Sequence, residues 1–399
     1  MADKQVDILI VGGGLTGAIL MIAMAKQGYS CLLVDAKLSG ANLSPDFDAR
    51  SLALSPASIR ILQMLNIWPL LQADATAIAS IHVSEKGRFG STNITSEELP
   101  LGYVVEMQHI NRAIEQLLDK SQILAPAKLQ ALDKNKSLAT ISNPEGEFLV
   151  QAKLIVGADG TESAVRRLSA LAVKIKDYQQ QALVANIGLA RSHQNAAYER
   201  FTPSGPLALL PMTEKRASLV WALSPAEAKR LMALDERAFL SDLQKNFGYR
   251  LGRFKRVGKR IIYPLQQLTM PTKIAWPLVF VGNAAHTLHP VAGQGFNLGL
   301  RDVASLAQCI IHDGLNEAML QGYQKMRQHD EWAITQFTNS LISIFGSRLP
   351  GISVVRNLGL IAFDNLTVLK RYLTHYTRGF AGVTPDLVCG IRLGLKEDK

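Results

Sequence analysis

Two glycine-bearing runs, one near each end of the chain, have the residue types and spacing of an anion site. The first is Gly282-Asn283-Ala284-Ala285-His286-Thr287-Leu288-His289-Pro290-Val291-Ala292-Gly293-Gln294-Gly295-Phe296-Asn297. It follows an apolar strand pattern, Leu278 to Val281, and leads into a helical pattern beginning near Asn297. A glycine at a strand end lets backbone approach a ribose or phosphate closely. A Pro-x-x-Gly-x-Gly turn exposes backbone N–H groups, and a helix start turns its positive dipole toward an anion. Such a start can also stabilise the negative charge of a reduced flavin ring. Taken alone, the run could equally be a tight turn between core elements.

The second run is Gly12-Gly13-Gly14-Leu15-Thr16-Gly17. Val6 to Val11 before it is a continuous apolar strand of the kind buried in parallel sheets. After it comes an apolar helix through about Gln27, then a second strand, Cys31 to Val34, ending at Asp35 and Ala36. This is the dinucleotide fingerprint in its strand–turn–helix context. Gly12 permits the turn, Gly14 lets backbone reach a pyrophosphate, and Gly17 lets the helix pack on the strand. Asp35 can accept hydrogen bonds from an adenosine ribose; its competing role is an ordinary carboxylate at a strand end.

Other polar positions are candidates on weaker grounds. Arg50, in Asp48-Ala49-Arg50, lies in a loop before the helix that Ser55-Pro56 starts, within reach of a bound cofactor or simply at the surface. Gly157-Ala158-Asp159-Gly160 ends a buried strand, Leu154 to Val156, with a helix N-cap at Ser163, and suits a phosphate-lined crevice. His286 and His289 are three residues apart with no third ligand nearby, so no metal is expected; a role in orienting their loop fits better.

The elements that must position these residues are those of an α/β protein. Ala182 to Leu189, Ala197 to Phe201, Leu207 to Leu210 and Ala217 to Trp221 are strand-like with no intervening helix, as in an inserted antiparallel sheet. Such a sheet can roof a crevice. Leu209, Pro211, Val220 and Trp221 are candidate walls of an apolar substrate pocket, with plain core packing as the competing role. The expected layout is a Rossmann-like FAD-binding domain in three segments (1–70, 104–180 and 271–330), a substrate domain in two (71–103 and 181–270), and a C-terminal helical region, 331–399.

The chain has 399 residues, 48% of them hydrophobic and 19% charged, the composition of a globular enzyme. A formal net charge of +10 favours an anionic lipid surface or acidic partner over nucleic acid, because the basic residues are scattered and form no nucleic-acid module. Cys31, Cys309 and Cys389 are too far apart for a redox pair or a cysteine zinc site. The first strand begins within five residues of Met1, and no apolar run approaches the roughly 20 residues of a membrane span. A cytoplasmic protein is expected; the basic, apolar stretch Ile342 to Thr377 is read as a helical cap packing on the catalytic lobe, with peripheral docking on a membrane or a partner protein as its competing role.

The Gly12 fingerprint, Asp48-Ala49-Arg50, Gly157-Ala158-Asp159-Gly160 and the Gly282-to-Asn297 run stand in the order and spacing of single-component FAD aromatic hydroxylases, over essentially the whole chain. Tyr198-Glu199-Arg200-Phe201, Gly205 to Met212, and His289 to Gly299 further resemble the ubiquinone-biosynthesis hydroxylases, those acting on 2-polyprenyl-6-methoxyphenol above all. The resemblance implies that Gly12, Gly14, Leu15, Thr16 and Gly17 hold the FAD pyrophosphate, Asp35 and Ala36 the adenosine ribose, and Arg50 the middle of the cofactor. It places Asp159-Gly160 at the crevice used by FAD and NADPH, Gly282-Asn283 near the ribityl and phosphate groups, and Pro290, Gly293, Gln294, Gly295, Phe296 and Asn297 around the isoalloxazine ring. Asp35 stands where glutamate is more usual, and Asn283 where the wider class carries aspartate. The implied chemistry is reduction of the flavin by NAD(P)H, addition of dioxygen to give a flavin hydroperoxide, and oxygen transfer to a polyprenyl phenol. Partners in a ubiquinone-biosynthesis complex are implied too. Two other classes remain open at this level: an FAD reductase or dehydrogenase, and a non-catalytic FAD-binding subunit.

Overall fold

The apolar run near the N-terminus forms the strand Lys4–Val11 at the centre of a sheet. A computed structural model describes residues 2–37, 47, 50–96, 99–213, 215–290, 293–346, 359, 364, 378–380 and 383–394. Lys4–Val11 pairs in parallel with Cys31–Val34 on one side and Gly146–Gly157 on the other, and Gly146–Gly157 pairs in parallel with Leu278–Phe280. Cys31–Val34, Leu278–Phe280 and the last parts of the other two strands, 8–11 and 154–156, are continuously apolar because both faces are covered. Ile8, Ile10, Leu33, Val156 and Val279 pack on the side of the helices α1 (Leu15–Ala25) and α7 (Gln294–Asp313). Leu9, Val11, Leu32, Ile155 and Phe280 pack on the other side, under a meander of Lys128–Asp133 and Leu138–Asn143. The parallel strands end level with one another: Gly12 N–H donates to the Val34 carbonyl, Ala158 N–H to Val11, and Val281 N–H to Gly157. The glycine loops therefore leave the sheet on the same edge, where open α/β sheets bind ligands.

A second, nine-stranded sheet is built around the long strand Lys174–Leu189. Beyond it lie Arg216–Leu223, Gly205–Pro211 and Ala196–Thr202, followed by Ser80–Glu85 and Ser91–Thr95 from much earlier in the chain. One face is covered by α5 (Pro225–Ala233) and α6 (Glu236–Phe247), whose Leu231, Phe239, Leu243 and Phe247 meet Leu183, Leu209, Leu219 and Trp221. The other face is left to the cavity described below. The helix α8 (Glu317–Gly346) brings Phe337, Leu341, Ile344 and Phe345, one helical face by spacing, to that cavity.

Arg50 does not directly precede a helix. The strand Ser51–Leu54 follows it and pairs antiparallel with Gly102–Glu106 before α2 (Pro56–Met64) begins; α3 (Met107–Leu117) follows Gly102–Glu106, and α4 (Ala164–Leu168) follows Gly146–Gly157. Four residues are too few to show a period, and this strand exists because of a partner some fifty residues away. Asp48, Ala49 and most of the stretch Ile342 to Thr377 lie outside the described residues. Among the described residues no helix is long and apolar enough to cross a membrane. Cys31 and Cys309 are buried in the core.

Candidate functional site

The first glycine motif divides its work between packing and opening space. Gly12 has φ +111°, and a Cβ there would lie 2.4 Å from the Ala158 carbonyl oxygen. A Cβ on Gly17 would lie 2.0 Å from the Gly12 carbonyl oxygen, so both glycines let the loop, helix and neighbouring strand touch. Gly14 differs: a Cβ there would meet nothing within 4 Å, and its backbone lines a cavity of about 1100 Å³. Ser55, Ser163, Ser224 and Asp235 cap their helices with side-chain oxygens, whereas α1 and α7 start on Gly14 and Gly293 with no side-chain cap. Both of these starts line the same cavity, so two positive helix ends face one space. Gly160 and Gly295 also line it, and likewise have room for a Cβ. Open glycine backbone at two uncapped helix starts is what an extended, pyrophosphate-bearing cofactor requires, and these residues fit FAD.

The second loop is held from behind by a buried polar network that the sequence did not reveal. Asp302, fully buried on α7, accepts from Gly282 N–H at 2.9 Å, from His286 Nε2–H at 2.6 Å and from Arg327 Nε–H at 2.7 Å. Arg327 also pairs with Asp330, which Arg301 reaches at 2.5 Å. Burial lowers the His286 pKa, so the ring is neutral and its contact with Asp302 is a hydrogen bond. Burial disfavours the Asp302 carboxylate, but His286 and the Arg327 guanidinium more than offset that and hold its pKa below the ordinary range. His289 is buried, with an edge-on ring contact to Tyr178 at 5.1 Å, and burial pushes its pKa down to about 4. Among the described residues no His, Cys, Asp and Glu cluster could hold a metal. Gly293, in the left-handed region at φ +60°, turns the chain into α7.

Gly14, Leu15, Thr16, Gly160, Gly282, Asn283, Pro290, Gly293, Gln294, Gly295, Phe296 and Asn297 all line the one cavity. The polar atoms of Asn297 nevertheless point into protein. Its amide oxygen accepts from Ser55 N–H at 2.9 Å and the Ser58 hydroxyl at 2.7 Å, and its amide nitrogen donates to the Ala53 and Gly293 carbonyls. Asn297 thus ties the Gly293 loop to the strand Ser51–Leu54. Gly12, Gly17, Asp35, Ala36, Arg50 and Asp159 stand behind or beside the lining. Asp35 accepts from Gly13 N–H at 2.5 Å and from Lys37 N–H at 2.7 Å, bracing the glycine turn. Asp159 Oδ2 accepts from Ala164 N–H at 2.6 Å, while its buried Oδ1 has no hydrogen-bond partner among the described residues. Arg50 is exposed, its guanidinium 3.5 Å from the Tyr263 hydroxyl.

The far end of the cavity is apolar, and the expected wall residues need correction. Val220 lines it, but Leu209, Pro211 and Trp221 do not. Leu209 and Trp221 point to the opposite face, into the core beneath α5 and α6, and Pro211 shares the phase of Leu209 on its strand. Side chains alternate along a strand, so the wall is built from the other phase: Ala208 and Leu210, with Ile81, Val83, Ala197 and Phe201 on neighbouring strands. Composition cannot tell two apolar phases apart; the half-buried state of Ala208, Leu210 and Val220 does. The α8 residues Phe337, Leu341, Ile344 and Phe345, and also Glu199 and Arg378, line it too and were not among the expected site residues. The Phe345 ring stacks on Phe201 with centroids 3.5 Å apart.

Residues 5–338 match the family model described as an FAD binding domain. A ubiquinone hydroxylase, UbiL, of Rhodospirillum rubrum is 35% identical over 96% of this chain and 92% of its own length. The 3-demethoxyubiquinol 3-hydroxylase of Escherichia coli is 31% identical over 95% of this chain and 100% of its own. The chain belongs to the ubiquinone-biosynthesis FAD hydroxylases. As a member of that family it is an FAD-dependent aromatic monooxygenase. The fold is also that of p-nitrophenol 4-monooxygenase PnpA from Pseudomonas putida DLL-E4, with a TM-score of 0.78 at 17% identity over 94% of this chain and 99% of the other. PqsL of P. aeruginosa, solved with 2-aminobenzoylacetate, gives 0.75 at 23% identity over 90% of this chain and 100% of the other.

Proposed function

We propose that this FAD hydroxylase inserts one atom of dioxygen into the ring of a polyprenylated (methoxy)phenol, an intermediate of ubiquinone biosynthesis, with NAD(P)H as electron donor. The observation that carries this reading is the single cavity, polar and glycine-lined at one end and apolar at the other. At about 1100 Å³ it exceeds the roughly 300–1,000 Å³ of an ordinary ligand pocket. That suits a cofactor and a prenylated ring lying end to end. The substrates printed in the names of the two curated relatives point the same way.

Bound there, FAD would supply the hydride-accepting and dioxygen-activating chemistry that oxygenation of an electron-rich ring requires, with NAD(P)H as donor. The chain's own residues do the rest. Gly14 backbone and the start of α1 would hold the pyrophosphate, with Asp35 and Ala36 on the adenosine side, Arg50 beside the middle of the cofactor and Asp159-Gly160 at the crevice. Asn283 would reach the ribityl chain, and Pro290 and Gly293 to Phe296 would border the flavin ring, where the start of α7 stabilises negative charge. Ala208, Leu210, Val220 and the α8 side chains would bury the prenyl tail and keep water from the reacting oxygen. Contact of the basic C-terminal stretch with anionic lipid or a biosynthetic partner belongs to this proposal as a means of receiving a lipid-soluble substrate. The test is turnover of FAD-loaded protein with NAD(P)H, dioxygen and a prenylated methoxyphenol. Ring hydroxylation supports the proposal, and NAD(P)H oxidation that yields only hydrogen peroxide with such phenols contradicts it.

A further inference from the structure

One residue in the apolar half of the cavity breaks the rule that governs its neighbours. Across the second sheet, Thr92, Val83, Glu199, Ala208 and Val220 stand abreast on five adjacent strands, paired in register Val83↔Thr92, Glu199↔Val83, Glu199↔Ala208 and Ala208↔Val220. All five line the cavity. Next along the same strand phase come Ala197 and Phe201, which also line it. An ionisable side chain among Val, Ala and Phe loses its hydration and gains nothing from packing. Glu199 is the one carboxylate among the described lining residues, and it has neither hydrogen bond nor ion pair to any described residue. A buried charge is ordinarily paired; one left bare on the wall of a binding cavity has a ligand as its natural partner.

We propose that the Glu199 carboxylate accepts the proton of the substrate's phenol hydroxyl, an inference that rests on the ring-hydroxylase reading above. The O–H bond of the phenol breaks, its proton moves to a Glu199 carboxylate oxygen, and the electron pair stays on the phenol oxygen. Delocalised into the ring, that charge makes the carbon beside or opposite the oxygen nucleophilic toward the incoming oxygen atom. After oxygen insertion the ring is a dienone. Its keto oxygen takes the proton back from Glu199 while the newly hydroxylated carbon releases its own proton to water, which restores both the aromatic ring and the carboxylate. Glu199 is neither oxidised nor reduced.

The surroundings match this task. Burial alone raises the Glu199 pKa to about 7. That closes roughly half of the gap between a carboxylate in water and a phenol near 10, and it places the base near working pH. On the cavity side its neighbours Val83, Thr92, Ala208 and Val220 carry no charge; Arg378 is the other charged group among the described lining residues, and Asp364 binds the Thr92 hydroxyl at 2.8 Å. Tyr198, which also borders the cavity, and Arg200, its chain neighbours, turn their side-chain contacts to the other face of the sheet. There Tyr198 meets Phe247 and His82, Arg200 reaches Ser84 and Asn246, and Arg250 contacts His82.

The experiment compares wild type, Glu199→Gln and Glu199→Asp, all FAD-loaded, on a prenylated methoxyphenol and on its ring-fluorinated analogue, whose hydroxyl is more acidic. Glu199→Gln should keep its FAD and lose hydroxylation kcat by roughly 10²- to 10⁴-fold, the usual share of a general base. The wild-type rate should rise with pH through about 7, and the Gln variant should lack that rise. The deficit should shrink on the fluorinated phenol, because a more acidic hydroxyl needs less help; a merely structural role would leave the deficit the same on both. Glu199→Asp, which keeps a carboxylate, should retain the pH limb and fall between the two, and it carries the test should the Gln variant fail to fold. Wild-type hydroxylation with unchanged Gln kinetics, or with an Asp variant that loses the pH limb, overturns the proton acceptor alone. A wild type that hydroxylates no prenylphenol overturns the hydroxylase reading and this one with it.

Discussion

Gly14 and Gly17 belong to one motif, yet they should fail in opposite ways when a side chain is added. At Gly17 a Cβ would sit 2.0 Å from the Gly12 carbonyl oxygen, 3.2 Å from Ala158 Cβ and 3.2 Å from Ile10 Cγ2. Backbone carbonyl and buried strand cannot step aside, because α1 is buried from Gly17 through Met24. Gly17→Ala should therefore cost about 3 kcal/mol of folding stability, the upper end of the overpacking range. At Gly14 a Cβ meets nothing within 4 Å and the backbone is extended (φ −65°, ψ 174°), which any residue adopts. Gly14→Val should cost the unliganded fold only about 1 kcal/mol, as a poor N-cap. Its branched side chain, however, occupies cavity space at the start of α1. Forcing a pyrophosphate past it costs about 1–3 kcal/mol, or roughly 5- to 150-fold in FAD Kd. Flavin-fluorescence titration measures the affinity, and urea unfolding of the apoprotein measures the stability. Wild-type FAD affinity in Gly14→Val would refute the placement of the pyrophosphate. Equal stability loss in both variants would refute the division of labour between the two glycines.

Three further outcomes follow from the geometry. Asp302→Ala leaves Arg327 buried with one partner fewer and unfastens Gly282 N–H, so stability should fall by about 3–5 kcal/mol together with FAD affinity; a change below about 1 kcal/mol in urea unfolding would show the network to be idle. Glu199 should mark the pH dependence of the unliganded protein: its pKa is raised from 4.5 to about 7 in the fold, so the folded chain holds more protons than the unfolded between those values. Its contribution is fully present below pH 4.5 and is lost as pH rises through 7; Glu199→Gln should gain stability over wild type across that window, and a pH-independent difference in unfolding midpoint would contradict this. Ala208→Phe projects a ring into the apolar end, so it should raise KM for a long-chain prenylphenol more than for a short-chain one while leaving FAD affinity unchanged; equal KM changes would move the prenyl tail elsewhere.

The cofactor half of the site was legible because its signals are local. Gly12-x-Gly14-x-x-Gly17 between an apolar strand and an apolar helix admits few other structures, and Gly293 is needed for a left-handed turn whatever surrounds it. The substrate half was legible only as a sheet. Whether Leu209 or Ala208 faces the cavity depends on strand phase, and an apolar-on-both-sides strand such as Gly205–Pro211 does not declare its phase. Glu199 was visible as a letter, but nothing local distinguishes it from Glu85 at the end of the adjacent strand. Only the register with Val83 and Ala208 shows that it faces inward. Asp302 and Arg327 were hidden for a related reason: they lie on successive helices, α7 and α8, and meet through tertiary packing. The resemblance implies Asn297 beside the flavin ring, and it does border the cavity, while the loop-tying role of its amide depends on Ser55 and Ala53, distant in sequence.

One cavity is proposed to hold both FAD and the ring it oxygenates. Single-turnover reaction of FAD-loaded protein with NAD(P)H, isotopically labelled dioxygen and a prenylated methoxyphenol tests it, with mass spectrometry of the product. One labelled oxygen atom on the aromatic ring is the predicted result. An unlabelled hydroxyl, or complete NAD(P)H oxidation with the phenol recovered intact, would contradict it.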